Sequence, residues 1–161
     1  MSARFRVGQG FDFHPLEVGR KLILGGVEVE HTTGLRGHSD ADVAAHALAN
    51  AILGALGEGD LGQHFPDNDP RYKDADSIAI LATVWSRATD LGWRLANADV
   101  TIFAAQPRLA SHLPAMRARL ARAIGSEPPL VNVKASNPEG LGALGRGEGM
   151  AAAAIIMLEK D

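Results

Sequence analysis

The sequence predicts an α/β chain of the layered α+β kind, with a mixed sheet packed under helices on one side. Three observations carry this. Phe5, Val7, Phe11 and Phe13 recur at even spacing, the period of a strand. Val43, Ala47, Leu48, Ala51, Ile52 and Ala55 fall on one side of a 3.6-residue period, so residues 42–56 form a strong helix. The stretch Met150 to Leu158 is apolar at every position, as in a strand covered on both faces, so it should lie in the middle of its sheet. Strands and helices mixed along one chain require a sheet layer under a helix layer.

The elements follow in order. The first strand expects Phe13 to point into the core. Lys21–Leu24 and Val27–Glu30 flank Gly25-Gly26, which predicts a hairpin, because two adjacent glycines supply the positive φ of its turn. Ser39 followed by Asp42 has the shape of a capping box at the start of the 42–56 helix. Residues 60–69 form a polar turn region bounded by Pro66 and Pro70. Ser77 to Leu91 is a second helix with Ile78, Leu81, Ala82 and Trp85 on its inner face, closed by Gly92. A strand follows at 99–104. Residues 114–124 form a third helix, with Pro114 at its start, Met116, Leu120 and Ile124 inward, and Gly125 as its stop. Residues 130–134 are a further strand.

At 161 residues the chain is expected to be one domain over 1–161, long enough to bury a core. Charged residues are 22% and hydrophobic ones 46%, an ordinary globular balance. A net charge of −3 argues against nucleic-acid binding. With no cysteine, neither a disulfide framework nor a zinc–thiolate site is available. The opening Met1–Val7 lacks an apolar run of signal-peptide length, and Met150–Leu158 is too short to span a bilayer. The expectation is a soluble cytoplasmic protein without membrane partners.

Two clusters suggest metal chemistry. In Asp12-Phe13-His14 the outer two residues share one face of a strand. In His38-Ser39-Asp40-Ala41-Asp42 followed by His46, Asp42 and His46 stand four apart on one helix face, and Asn50 continues the stripe. One carboxylate with two imidazoles binds zinc and leaves a fourth position open, the pattern of a catalytic site. Asp42 could orient His46 from behind. The plainer alternative is that Asp40 and Asp42 serve the helix macrodipole. Spacing leaves open whether the two clusters meet. Residues 140–149 hold five glycines and Arg146, suited either to cradling an anion or to a tight connection into the last strand. Upstream lie Lys134, Ser136 and Glu139, the last able to hold a hard divalent ion beside phosphates. No P-loop, dinucleotide fingerprint or nucleophile elbow is present.

Taken in order, Gly-Gln-Gly-Phe-Asp-Phe-His (8–14), Gly-His-Ser-Asp-Ala-Asp-Val (37–43) with His46, and Gly-Asp-Leu-Gly with Phe-Pro-Asp-Asn-Asp-Pro (59–70) closely resemble the 2-C-methyl-D-erythritol 2,4-cyclodiphosphate synthase family of the non-mevalonate isoprenoid pathway. Asp-Val-Thr-Ile (99–102), Val-Asn-Val-Lys-Ala (131–135) and Gly-Arg-Gly-Glu-Gly (145–149) extend the likeness over the whole chain. The resemblance implies a homotrimer with its sheets around a three-fold axis and active sites at subunit interfaces. It implies a phosphorus–oxygen lyase of terpenoid biosynthesis that converts 4-diphosphocytidyl-2-C-methyl-D-erythritol 2-phosphate to the cyclic diphosphate and CMP. It implies zinc on Asp12, His14 and His46, and a second ion, Mg²⁺ or Mn²⁺, held with Glu139. By the same likeness His38 and Ser39 meet the 2-phosphate, His38 stabilising the transition state. Asp60, Leu61, Gly62, Phe65, Pro66, Asp67, Asn68 and Asp69 surround the methylerythritol unit. Ala104, Ala105, Gln106, Pro107, Arg108, Leu109 and Ala110 form the cytidine pocket. Ser136, Asn137, Pro138, Glu139, Ala143 and Arg146 complete the substrate set, and the channel along the axis is a candidate place for an isoprenoid phosphate.

The chain departs from the family at Ser136-Asn137-Pro138, where threonines are common and one pairs with the histidine; Asn137 takes that catalytic place here, while Pro138 removes a backbone donor. Arg108-Leu109-Ala110 replaces a commoner Lys-Met-Leu, Asn50 a common aspartate, and Ala143 a common aromatic. Two other functions compete: a trimeric isoprenoid- or nucleotide-binding protein without turnover, and a zinc hydrolase of phosphate esters using a metal-bound water.

Overall fold

Glycine sets the spacing at the centre of this fold. The computed structural model describes residues 4–161; Met1–Ala3, part of the opening stretch read above, lie outside the described residues. Strand β1 (Phe5–Val18) places Gly8 and Gly10 against helix α1 (Val43–Leu56). A Cβ added at Gly8 would lie 1.9 Å from the Ala51 carbonyl oxygen, and one at Gly10 2.0 Å from that of Ala47. Helix backbone rests directly on strand backbone there, so no side chain fits between them. The sheet side of α1 is correspondingly alanine-rich, while Leu48, Ile52 and Leu53 on the helix are fully buried.

The hairpin forms as expected, with β2 (Leu22–Leu24) and β3 (Val27–Val29) joined by Gly25 and Gly26 at φ +55° and +73°. A short strand that the spacing did not suggest, β4 (Thr33–Leu35), pairs antiparallel with the end of β1. Helix α2 (Leu61–His64) occupies the polar turn region, and α3 spans Ser77–Asp90. Strand β5 (Arg94–Phe103) is longer than its sequence signal; α4 (Leu113–Ala123), β6 (Val131–Ser136), the single-turn α5 (Gly142–Gly145) and β7 (Gly149–Glu159) complete the chain.

The main sheet runs β4-β1-β7-β5-β6 and is mixed, since β5 and β6 are parallel and the other neighbours antiparallel. Strand β7 is central, as expected, but its two faces are not covered alike. Ala152, Ala154, Ile156 and Leu158 are buried under the helices, whereas on the other face Ala151 is buried, Ala153 and Met157 are half-buried and Ile155 is exposed. The same holds for β1. Val7 is 66% exposed, Phe11 54% and Phe13 64%, so Phe13 points out of the core and not into it. The inner side belongs to Gly8, Gly10, Asp12 and His14.

The three long helices lie on one side of the sheet. Helix α1 packs on β1 and β7, α3 on α1, and α4 on β6. The inner face of α3 contains Leu81 and Trp85 as expected, but Ala82 is exposed and Ile80, Val84 and Ala88 complete the stripe. Met116, Leu120 and Ile124 are fully buried beneath α4, and Gly125 follows at φ +57°. No helix among the described residues is long and apolar enough to cross a membrane.

Candidate metal centre and cleft

Asp12 and His14 stand two apart on β1 and share its inner face, while His46 lies one turn into α1, the helix seated on that face. The two clusters meet. Asp12 Oδ2 lies 3.2 Å from His14 Nε2 and 3.0 Å from His46 Nδ1. One ligand atom from each residue falls within 4.8 Å of the others. Hydrogen bonding leaves the facing nitrogen of His14 free for an ion: its Nδ1 is 2.8 Å from the Arg36 carbonyl oxygen, which only accepts, so Nδ1 donates and Nε2 looks toward Asp12. One carboxylate and two imidazoles at this separation fit a divalent metal ion with a position left open to the cleft.

The electrostatics agree. Burial would raise the Asp12 carboxyl, but hydrogen bonds and charge from His14 and His46 outweigh it and hold it down at about 2. Burial opposes the charged form of His14, yet the facing Asp12 carboxylate wins and raises that imidazole.

Asp42 does not orient His46. It is the N-cap of α1, completely buried, and its carboxylate accepts from the backbone N–H groups of Gly25, Gly26, Ala44 and Ala45 at 2.7–3.1 Å. Three of these donors meet Oδ1 and one Oδ2, and together they tie the hairpin turn to the helix start. Burial, with like charge from Asp40, pushes this carboxyl up to about 6 against those bonds. Nor does Ser39 form a capping box; its Oγ accepts from Ala41 N–H. The groups behind His46 are Ser77 Oγ, 2.8 Å from Nε2, and Ser39 Oγ at 3.3 Å. Sequence reasoning missed Ser77, because a serine opening a helix carries only a capping signal.

A cleft of about 290 Å³ opens over the trio. Of the expected residues it is lined by Asp12, His14, His38, Ser39, His46, Leu61, Gly62, Phe65 and Asp67, with Asn50, Tyr72 and Ile80 besides. His38 Nε2 is held 3.0 Å from the Asp69 carbonyl oxygen. Asp69 itself pairs with Arg71, and Asp60 caps α2 through Gln63 N–H, so both carboxylates serve local structure. Asn50 Oδ1 accepts from Leu61 N–H at 2.8 Å and anchors α2 to α1. Pro66 and Asn68 lie in the same turn.

The remaining expected residues are not brought to this cleft within one chain. Ala104, Ala105, Gln106, Pro107, Arg108, Leu109 and Ala110 follow the end of β5, where Ala104 N–H donates to the Ser136 carbonyl oxygen. Asn137 Oδ1 accepts from Glu139 N–H at 2.7 Å, and exposed Glu139 is not part of the metal trio. Pro138 and Ala143 line a second cavity of about 610 Å³ on the Phe13 side of His14. Arg146 pairs with Glu148. Part of the glycine-rich run has a packing reason of its own: a Cβ at Gly145 would lie 2.2 Å from the Gly140 carbonyl carbon.

Comparison with known proteins agrees with this geometry. Residues 5–159 match the model of the YgbB family. A 2-C-methyl-D-erythritol 2,4-cyclodiphosphate synthase from Geobacillus kaustophilus is 57% identical over 157 residues, 98% of this chain and 99% of its own. The bifunctional IspDF of Campylobacter jejuni superposes with a TM-score of 0.94 at 39% identity, over 99% of this chain and 43% of that longer one. The Plasmodium falciparum IspF–CDP complex superposes at 0.86 and 27% identity, over 99% and 100%. With its strands, trio and cleft all within the matched span, the chain belongs to the YgbB family, alongside relatives named as 2-C-methyl-D-erythritol 2,4-cyclodiphosphate synthases.

Proposed function

We propose that this chain catalyses the reaction for which its relatives are named: closure of 4-diphosphocytidyl-2-C-methyl-D-erythritol 2-phosphate to the 2,4-cyclodiphosphate with release of CMP, a step of isoprenoid precursor biosynthesis. An oxygen of the 2-phosphate attacks the β-phosphorus. A new P–O–P bond forms, the bond from the β-phosphorus to the bridging oxygen breaks, and CMP leaves with that electron pair. Such a transfer needs positioning and charge neutralisation more than a protein nucleophile. The observation that carries the reading is the meeting of Asp12, His14 and His46 at the floor of a cleft.

In this reading the trio holds zinc, which would neutralise diphosphate charge and polarise its oxygens. His38 and Ser39 stand on the same cleft wall to receive the 2-phosphate, and Leu61, Gly62, Phe65 and Asp67 enclose the methylerythritol unit. Residues 104–110 read the cytidine, Asn137 assists His38, and Glu139 helps hold Mg²⁺ or Mn²⁺ between the phosphates. A relative was solved with CDP, which supports a cytidyl ligand.

The working form is a homotrimer, with residues 1–161 as one domain of each cytoplasmic subunit. Two observations support the trimer. The open sheet face exposes Val7, Phe11, Phe13 and Ile155, and an apolar patch of this kind marks an interaction surface. The 104–110 and 136–139 segments do not line the trio's cleft in one chain, so an adjacent copy supplies them. The channel enclosed by three such faces would take an isoprenoid phosphate.

The test is incubation of zinc-loaded protein with the diphosphocytidyl substrate and Mg²⁺. Stoichiometric CMP and cyclic diphosphate are expected. No CMP would refute the activity, and a linear phosphorylated product would assign hydrolysis instead.

A further inference from the structure

We infer that Asp40 and Ser77 form a relay that accepts the Nε2 hydrogen of His46 and holds the ring with Nδ1 toward Asp12 and His14, the arrangement a metal ion there requires, which makes Ser77 a positioning residue of the metal centre; the inference rests on the trio holding a metal ion.

Ser77 Oγ is buried and touches two groups, His46 Nε2 at 2.8 Å and Asp40 Oδ1. A carboxylate has no hydrogen to give, so the single hydroxyl hydrogen of Ser77 goes to Asp40. Oγ then has only lone pairs for the imidazole. On this side His46 Nε2 carries the ring hydrogen and donates it, and a metal ion between Nδ1 and the Asp12 carboxylate, 3.0 Å away, would then meet a bare Nδ1; without an ion that carboxylate, also only an acceptor, competes for the hydrogen. His14 is set the same way by the Arg36 carbonyl oxygen. The two imidazoles thus turn opposite nitrogens, Nε2 and Nδ1, toward Asp12, each with an acceptor held against its outer nitrogen.

Asp40 is held for this task. Its Oδ2 accepts from Ser77 N–H and its Oδ1 from Asp42 N–H, both at 3.1 Å. Its own backbone N–H donates to the Ala75 carbonyl oxygen, and Asp74 N–H donates to that of His38. Loop 38–42 and the start of α3 are thereby stitched together behind the ring. One competitor is present. Ser39 Oγ is 3.3 Å from the same Nε2 and keeps a hydrogen of its own to give. With Ser77 removed, Ser39 is left to donate to Nε2; the ring hydrogen then moves to Nδ1 and blocks the ligand position.

The experiment measures Zn²⁺ affinity in full-length wild type, Ser77→Ala and Ser77→Thr by competition with a chromophoric chelator. Ser77→Ala is expected to lose Zn²⁺ affinity by about 10–100-fold, the usual size for a group behind a metal-bound histidine. Ser77→Thr keeps the hydroxyl and is expected to keep the affinity. Affinity of Ser77→Ala within twofold of wild type, or an equal loss in Ser77→Thr, overturns the relay. Wild type that binds no Zn²⁺ overturns the metal reading instead.

Discussion

Replacing Gly10 by alanine should separate the proposed metal ligands without touching any of them. The perturbation is one methyl group placed where α1 rests on β1. Its carbon would lie 2.0 Å from the Ala47 carbonyl oxygen, 2.6 Å from Ala51 N and 2.9 Å from Asn50 Cβ. A comfortable carbon–oxygen contact is about 3.3 Å, so the two backbones must part by about 1 Å or more. Both are hydrogen-bonded main chain and cannot yield as a flexible side chain would. The cost should reach the upper end of the overpacking range, about 3 kcal/mol. For a chain of this size that lowers Tm by roughly 6–12 °C.

The site pays as well. His46 is the residue before Ala47, so the lift of α1 carries its Nδ1 from 3.0 Å to about 4 Å from Asp12 Oδ2. Metal ligands tolerate only a few tenths of an ångström. Zn²⁺ affinity should fall about tenfold or more. The control is Leu120→Ala on α4, a fully buried side chain whose loss costs about 2–5 kcal/mol. That variant should lose comparable Tm and keep its Zn²⁺ affinity. The assays are thermal unfolding of metal-free protein and Zn²⁺ competition with a chelator. Unchanged metal affinity in a destabilised Gly10→Ala refutes the claim that strand–helix spacing sets the trio.

Three other outcomes are expected. Asp12 is depressed from 3.8 to about 2, so its contribution is present above pH 3.8 and fades as pH falls toward 2; His14 is raised from 6.5, so its contribution is present below 6.5 and fades as pH rises through its folded value. Metal-free protein should therefore gain its largest benefit from the pair between pH 3.8 and 6.5, and Asp12→Asn should lower Tm most within that window and weaken its fall on either side; an unaltered profile sinks the assignment. Phe11→Glu alters a side chain already 54% exposed, so it should leave the helix content by circular dichroism intact while moving the sedimenting species from the mass of the proposed trimer to that of a monomer. Asn50→Ala removes the acceptor of Leu61 N–H, and a drop of about 1 kcal/mol with faster hydrogen exchange confined to residues 61–64 is expected.

Much of the fold was legible because its signals are local. The Gly25-Gly26 turn, the α1 stripe and the Asp12–His14 pair each depend on residues within one or two turns of chain. What joins them is not local. Ser77 meets Asp40 across 37 residues, and nothing near either position announces the pairing. Strand β4 is three residues long and pairs only with the tail of β1, too short to show a period.

The inverted face of β1 has a deeper cause. A rule that sends apolar side chains inward counts what side chains gain by burial, about 25 cal/mol per Å². On that count Phe11 and Phe13 outrank Gly8 and Gly10 and should face the core. Here the space above the strand is filled by helix backbone, and only glycine lets it come that close. The gain comes from α1 lying on the sheet, not from any side chain of β1. Phe5, Val7, Phe11 and Phe13 are left on the open face, where register aligns Phe11 with Ala153, Thr101 and Lys134, a row of mixed chemistry suited to a protein partner more than to a core. The glycines that make the strand's inner face unreadable by hydropathy are the same residues that let α1 descend until His46 reaches Asp12. The inverted face of β1 and the meeting of His46 with Asp12 therefore have one physical origin, and Gly10→Ala tests both at once.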